Sequence, residues 1–167
     1  MVKTIAVPID FRVDSLNALR LALNTIHTGK VNVVLIYAQT PLDSITDLLF
    51  YSPSEVISSL KSKEFEAAIS IIKNRYESLL NHISIELFQG FGMRSVHNFL
   101  EVHKIDEVFF FKNYTLQPPK KGFDPVPLLK KSGVSYQEVG TEMEDFSRET
   151  KALNTLFNDL VIEIANH

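Results

Sequence analysis

Short, continuously apolar segments alternate with stretches of helical periodicity, and this alternation constrains the fold more than any other feature of the sequence. Four apolar segments are rich in β-branched or aromatic residues, which is typical of buried strands: 4–9, 31–38, 84–88 and 107–111. A fifth segment, 134–139, is more polar and is predicted to lie at a sheet edge. Strands that alternate with helices form parallel sheets with right-handed crossovers. We therefore predict a single doubly wound α/β domain with a five-stranded parallel sheet and helices on both faces.

The helical stretches carry recognisable start signals. Asp14 or Ser15 is a candidate N-cap for a helix whose leucines follow helical spacing. Ser52 and Glu55 form a capping box around Pro53, which suits the first helical position. The helix that begins there is predicted to continue to Leu79. The predicted helices are therefore Leu16 to Ile26, 52–79, 93–104 and 126–132.

The chain changes character after Gly140, so we divide it into an α/β domain at 1–140 and a C-terminal segment at 141–167. The segment begins with a charged stretch, TEMEDFSRETK, which is predicted to be a linker. An amphipathic helix is predicted to follow. It docks on its own domain, or it binds a partner or a second copy. Its apolar stripe comprises Leu153, Leu156, Phe157, Leu160, Val161 and Ile164.

Composition excludes several classes of function. A chain of 167 residues with 45% apolar and 22% charged residues suits one globular domain. The formal net charge of −3 argues against non-specific binding to nucleic acid, which needs a basic surface. The absence of cysteine excludes disulfides, thiolate catalysis and thiolate metal sites. No apolar run has the length of a membrane span, so we expect a cytoplasmic protein without a membrane partner.

Three blocks of the sequence carry a shared signature: KTIAVPIDFRVDSLNALRLAL, VVLIYAQTP and GFGMRSVHNFLEVHKIDEVFFF. In the first, a strand ends in Pro-x-Asp-Phe and is followed by the pattern Ser-Leu-x-Ala-Leu-x-x-Ala. Together the blocks resemble the universal stress protein (UspA-like) family. VVLIYAQTP is similar to the family's second strand, with Tyr37-Ala38 in place of the usual His-Val. GFGMRSVHNFLEVHKIDEVFFF matches a glycine, a helix, an aspartate and the fourth strand, with Gly90 and Asp106 in the corresponding places. The resemblance covers about residues 3–140 and implies the strand order 3-2-1-4-5.

The stretch after the fourth strand departs from the family. Nucleotide-binding members carry Gly-x-x-Gly, about nine residues, then Gly-Ser or Gly-Thr, because glycine lets backbone N–H groups surround a phosphate. Here Phe111 stands at the strand end, 112–121 contain no glycine, and Gly122 precedes Phe123. Two prolines, Pro118 and Pro119, also lack N–H donors. We therefore interpret the chain as a degenerate member that does not bind ATP in the usual way.

The resemblance also implies where a ligand would lie. Ligand crevices in such sheets form at the carboxyl ends of the strands, where the strand order reverses. In the family the aspartate after the first strand contacts adenosine, and this implies a role for Asp10 beside Pro8. We expect the segment Lys112-Asn113-Tyr114 to face Asp10. The candidate ligand-binding residues are Pro8, Asp10, Lys112 and Asn113. Alternatively, the Asp10 carboxylate accepts hydrogen bonds from its own loop.

The remaining chemical signals are weak, and we predict no catalysis. Lys120 and Lys121 are either solvated or bind phosphate as point charges. His97 and Glu101 lie four residues apart, but no third metal ligand is near, so no metal is expected. No Walker, GxGxxG or Gly-x-Ser-x-Gly motif is present.

Two functions follow from these observations. The first is a non-catalytic stress-response or regulatory protein without a cofactor, acting as a homodimer or through a protein partner. Family dimers often pair through the fifth strand, and the polar edge at 134–139 suits such pairing. The alternative is a sensor that binds ATP, AMP or another small molecule in the cleft at Asp10.

Overall fold

The computed structural model describes residues 2–27, 29–90, 92–119, 121–140 and 144–166, with the side chains of 144–154 left aside. Its five strands form one sheet in the order β3-β2-β1-β4-β5, and every strand pair is parallel. The predicted class, sheet and strand order are confirmed. The strands are β1 (Lys3–Pro8), β2 (Val31–Gln39), β3 (Leu80–Gln89), β4 (Glu107–Phe111) and β5 (Ser135–Val139). The helices are α1 (Leu16–Thr25), α2 (Ile45–Leu49), α3 (Pro53–Leu60), α4 (Lys63–Arg75), α5 (Met93–Val102), α6 (Val126–Lys131) and α7 (Glu144–Ala165).

The sheet separates two hydrophobic cores, as helices on both faces require. On one face, α1, α4 and α7 cover side chains such as Ile5 and Leu35. On the other face, α5 and α6 cover side chains such as Ala6 and Ile36. Because alternate residues of β1 and β2 are buried on opposite faces, the central strands are apolar throughout.

The helix predicted from Ser52 to Leu79 is wrong as a single element. It is divided into α3 and α4 by an extended residue, Lys61, whose φ is −71° and ψ is 122°. The hydroxyl of Ser62 then accepts a hydrogen bond from the Phe65 N–H at 3.1 Å and caps α4. A serine that bonds locally to the backbone competes with helix continuation, and this accounts for the break. The predicted cap at Ser52 is confirmed, because its hydroxyl accepts the Glu55 N–H at 3.4 Å.

The C-terminal helix packs on its own domain. Phe157 and Val161 are buried against the α1 and α4 face, whereas Leu156, Leu160 and Ile164 from the same predicted stripe are exposed. The helix begins at Glu144, inside the stretch that the sequence predicted to be a linker; residues 141–143 lie outside the described part. In the part of the chain that the structure describes, no helix is long and apolar enough to cross a membrane.

The amino ends of the strands are held by charged groups. Asp106 accepts the Thr4 N–H at 2.8 Å, which joins the beginnings of β1 and β4. The Glu107 carboxylate is buried and binds Lys3 and the amide of Gln137, the latter at 2.7 Å. Burial alone would raise the pKa of Glu107, but these two partners outweigh it and lower the pKa.

Candidate functional site

The candidate site lies where β1 runs between β2 and β4, at their carboxyl ends. Pro8 ends β1, and Asp10 follows two residues later with a side chain that is buried. A single 3-10 turn, Val13–Ser15, then leads into α1. The loop of residues 112–125, which we call the closing loop, connects β4 to α6 across this place.

The Asp10 carboxylate is held by the chain itself. Its Oδ1 accepts the Arg12 N–H at 2.9 Å. Its Oδ2 accepts two bonds from the closing loop, one from the Tyr114 hydroxyl at 2.5 Å and one from the Gln117 N–H at 2.8 Å. Hydrogen bonds to an ionised carboxylate are stronger than neutral ones. We call this arrangement of Asp10, Tyr114 and Gln117 the Asp10 latch.

Tyr114 keeps its proton over the whole physiological pH range. Burial of the hydroxyl raises its pKa, and the neighbouring Asp10 carboxylate raises it further, well above the usual range of tyrosine. The ring stacks on Phe111 with the centroids 6.2 Å apart, which fixes its direction. The hydroxyl therefore remains a hydrogen-bond donor, and the stacking on Phe111 holds it in position.

A second set of contacts ties the closing loop to β2. The Tyr37 hydroxyl donates to the Pro119 carbonyl at 2.9 Å. The Thr40 N–H donates to the Lys121 carbonyl and the Phe123 N–H donates to the Ala38 carbonyl, both at 3.0 Å. The closing loop therefore starts at β4, passes over the end of β1 and is fastened to β2.

Gly122 allows the closing loop to pack closely against β2. A Cβ atom at this position would lie 2.6 Å from the Tyr37 hydroxyl oxygen and 2.7 Å from Pro118 Cβ. Both distances are shorter than real side chains adopt, so only a residue without a Cβ fits. The one glycine of the closing loop is thus used for close packing against Tyr37.

The cavity that remains at the site is small. It has a volume of about 190 Å³. Sites that hold drug-sized ligands span roughly 300–1,000 Å³. Residues of β1, α1, the closing loop and β5 line it, among them Pro8, Ser15, Lys112, Tyr114 and Glu138.

The four predicted site residues are only partly brought together. Pro8 and Lys112 line the small cavity, and the Lys112 N–H also donates to the Val139 carbonyl at 2.9 Å. Asp10 lies beneath the closing loop, which supplies two of its hydrogen-bond donors. Asn113 is exposed and lies nearer to Gly140, where a Cβ would be 3.6 Å from the Asn113 Nδ2.

Of the two lysines considered for phosphate, one can be placed. Lys121 is exposed, and its carbonyl is fastened to Thr40. Lys120 lies outside the described residues.

Sequence reasoning missed Tyr37 and Gln117 as structural partners of the site, whereas Tyr114 belongs to the segment that was expected to face Asp10. One signal existed: Tyr37 replaces the histidine that the family resemblance places at the end of the second strand. Nothing in the local pattern around Tyr114 indicates that its hydroxyl reaches Asp10, which is 104 positions away in the chain.

Phe11 has an unusual backbone that helps to form the site. Its φ is 64°, in the left-handed region that bulky residues avoid. The ring is buried and meets Tyr37 edge-on at 5.0 Å and Phe65 at 5.3 Å. Such backbone strain persists when the surroundings over-determine it. Here the aromatic packing holds Phe11 inward, while Asp10 beside it faces the closing loop.

The pair of His97 and Glu101 belongs to a different part of the molecule. The His97 Nε2 lies 2.9 Å from the Ser132 carbonyl, at the end of α6. Within the described ranges, no group of three or more His, Asp or Glu side chains is placed to hold a metal ion.

Several solved structures are similar to this chain. The hypothetical protein PH0823 covers 85% of the chain over its whole length, with 14% identity and a TM-score of 0.50. A universal stress protein family member from Burkholderia pseudomallei covers 83% of the chain with 96% of its own, at 12% identity and a TM-score of 0.49. UspA from Lactobacillus plantarum covers 83% with 97% of its own, at 14% identity and a TM-score of 0.47. No protein-family model and no curated protein matches the chain.

These comparisons concern the fold. At such low identity the likeness shows a shared architecture and assigns no role to any site residue. The chain shares its architecture with PH0823 and has the strand order that its resemblance to universal stress proteins implies. The class defined by the fold is therefore an α/β domain with a five-stranded parallel sheet in the order 3-2-1-4-5.

Proposed function

We propose that this chain is a non-catalytic, universal-stress-protein-like regulatory protein that does not take up ATP in its cleft and acts by association. Under this proposal it is a degenerate member of that family, with the closing loop in place of a phosphate-binding loop. The resemblance implies a role in a stress response, and the organisation of the site supports a role that needs no reaction.

One observation carries the proposal: the closing loop occupies its own cleft. The Asp10 carboxylate, which a nucleotide would need, accepts three hydrogen bonds from Arg12, Tyr114 and Gln117. The backbone that would surround a phosphate contains Pro118 and Pro119 and is fastened to β2. A ligand must replace all of these contacts to enter, and little of its binding free energy would remain.

Titration with ATP and Mg²⁺ tests the closed cleft. We expect no saturable heat and no change in melting temperature at millimolar ligand. A site whose Kd is a hundredth of the ligand concentration would stabilise the fold by about 2.7 kcal/mol. For a chain of this size, that corresponds to a rise of roughly 5–10 °C.

A parallel titration with AMP addresses the alternative sensor function. Saturable AMP binding that is lost in Asp10→Ala, with the variant still folded, would support the sensor and contradict the closed cleft. Saturable ATP binding would contradict it as well. The matched control is Asp43→Ala, which removes an exposed carboxylate outside the cleft.

The associating form is proposed to be a homodimer. We expect light scattering of the full-length chain at high micromolar concentration to give the mass of two chains. β5 forms one edge of the sheet and β3 the other, so both ends of the sheet can meet a second copy. The mass of a single chain under these conditions would contradict the proposed dimer.

A further inference from the structure

A cluster of exposed apolar side chains lies on α2 and on the residue that follows it. Four side chains, which we call the knob, are exposed: Ile45 by 76%, Leu48 by 56%, Leu49 by 75% and Phe50 by 80%. Large apolar residues clustered in this way on a surface mark interaction sites. No residue of α2 is buried, so the domain does not use the knob to hold itself together, whereas α3 packs on the core through Ile57 and Leu60.

A groove with an apolar lining lies on the other side of α3 from the knob. It has a volume of about 650 Å³ and is formed by α3, α4 and the edge strand β3. Its volume falls within the roughly 300–1,000 Å³ of sites that hold drug-sized ligands, so it has room for several side chains of a helical turn. Its apolar lining comprises Leu35, Ile57, Phe65, Ile69, Ile83 and Ile85.

The charges beside the knob and the groove are opposite. The cavity that Phe50 lines carries two carboxylates, Asp47 and Glu55, and one cation, Lys121. The groove is lined by Lys61 and Lys73, with Glu66 as its one carboxylate. Complementary charges around an apolar contact favour the matching partner and fix its register.

We infer that the knob of one copy binds in the groove of a second copy, and reciprocally, in a two-fold dimer at the β3 side of the sheet. This inference rests on the proposed association and names its surface. Both halves of the contact belong to one continuous stretch, α2 to β3, so a single two-fold axis can place each knob in the other copy's groove. Within one chain α3 stands between them, because Phe50 lines the cavity on the opposite side of α3 from the groove.

The other edge of the sheet is less suited to an apolar contact. Four of the five residues of β5 are exposed, and they include Gln137 and Glu138. Glu138 is paired with Lys130, and Gln137 with Glu107. Pairing at β5 would rely on backbone hydrogen bonds and on Tyr136, the one large apolar side chain exposed on this strand, whereas the knob and groove offer several apolar side chains as well as charge complementarity.

Two variants test the two halves of the contact without touching the core. Leu49→Asp places a charge on the exposed knob, and Ser70→Trp fills the groove from an exposed position on α4. Each is expected to raise the dimer dissociation constant roughly 30-fold or more, the effect of losing one interface hot spot. The matched control is Val102→Asp, which charges a residue of α5 that is 64% exposed. Analytical ultracentrifugation measures all three, with circular dichroism to show that each is folded.

Mixing provides a second test that is specific to reciprocal contacts. Leu49→Asp retains an intact groove and Ser70→Trp retains an intact knob. We expect an equimolar mixture of the two to form heterodimers more tightly than either variant forms homodimers, because one of the two contacts is restored. An effect of either variant through general aggregation or misfolding would show no such recovery.

The outcomes separate this inference from the proposed association. A wild-type dimer whose dissociation constant is unchanged by Leu49→Asp, or changed equally by Val102→Asp, overturns the knob-and-groove contact and leaves the association standing. A dimer that is lost in Tyr136→Lys but retained in Leu49→Asp assigns the interface to β5 and also overturns it. A monomeric wild-type chain overturns both.

Discussion

Phe157→Ala is expected to release α7 from the domain and to lower the free energy of unfolding by about 3–5 kcal/mol, the usual effect of truncating a buried phenylalanine. Phe157 is 6% exposed and belongs to the core that α1 and α4 share. Its ring also lies 6.0 Å from the guanidinium carbon of Arg20, which is buried. Truncation therefore removes apolar packing and the aromatic ring that lies against the buried guanidinium of Arg20.

The matched control is Leu156→Ala, one position earlier on the same helix. Leu156 is 58% exposed, so its truncation is expected to change stability by no more than about 0.5 kcal/mol. Thermal unfolding measures the difference, which corresponds to roughly 10 °C for a chain of this length. Limited proteolysis of α7 at low temperature distinguishes release of the helix from destabilisation of the whole domain. Equal effects of the two variants would mean that α7 does not dock through Phe157.

Asp10→Ala is expected to destabilise the protein by about 3 kcal/mol, because it removes the acceptor of three hydrogen bonds. Bonds to charged groups contribute about 1.5–3 kcal/mol each, and donors left unpaired beneath the closing loop add to the loss. Tyr114→Phe removes one of these bonds and is expected to cost about 2 kcal/mol. Denaturant unfolding measures both. Hydrogen exchange at the Gln117 amide is expected to accelerate in Asp10→Ala, since that N–H loses its acceptor.

A double-mutant cycle isolates the latch. If Tyr114 acts through Asp10, the two substitutions are not additive, and a coupling of about 1–2 kcal/mol is expected. Tyr136→Phe is the control, because Tyr136 is 44% exposed and follows on the neighbouring strand. Additive effects, or a hydroxyl deletion at Tyr136 as large as that at Tyr114, would show that the Tyr114–Asp10 bond does not hold the closing loop.

The fold was accessible from the sequence because its elements have strong local signals. The continuous apolar runs of β1, β2 and β4 predicted their own positions to within about one residue, and the strand order came from the family resemblance. The break between α3 and α4 also has a signal in the sequence, the spacing of its apolar residues. Leu60 and Phe65 are five residues apart, which interrupts a helical stripe.

The candidate site was less accessible, for a physical reason. Parallel topology brings strand ends together, and the family resemblance implies the place of Pro8 and Asp10 at those ends. Two partners of Asp10, the Tyr114 hydroxyl and the Gln117 N–H, lie more than a hundred positions away in sequence, and the Tyr37 contact to Pro119 spans 82. The same holds for α7, for which the sequence predicts one apolar stripe whereas the structure buries only part of it. Only packing decided that Phe157 and Val161 face inward and Leu160 outward.

The contacts that hold the closing loop have a consequence for any redesign of this end of the sheet. Asp10 and Tyr37 meet their partners in the loop 104 and 82 positions later in the chain. Grafting small residues into 112–121 would remove the Tyr114 hydroxyl from Asp10, but the Tyr37 side chain would stay in place on β2. Opening the cleft by design therefore requires changes at two separated stretches of the chain.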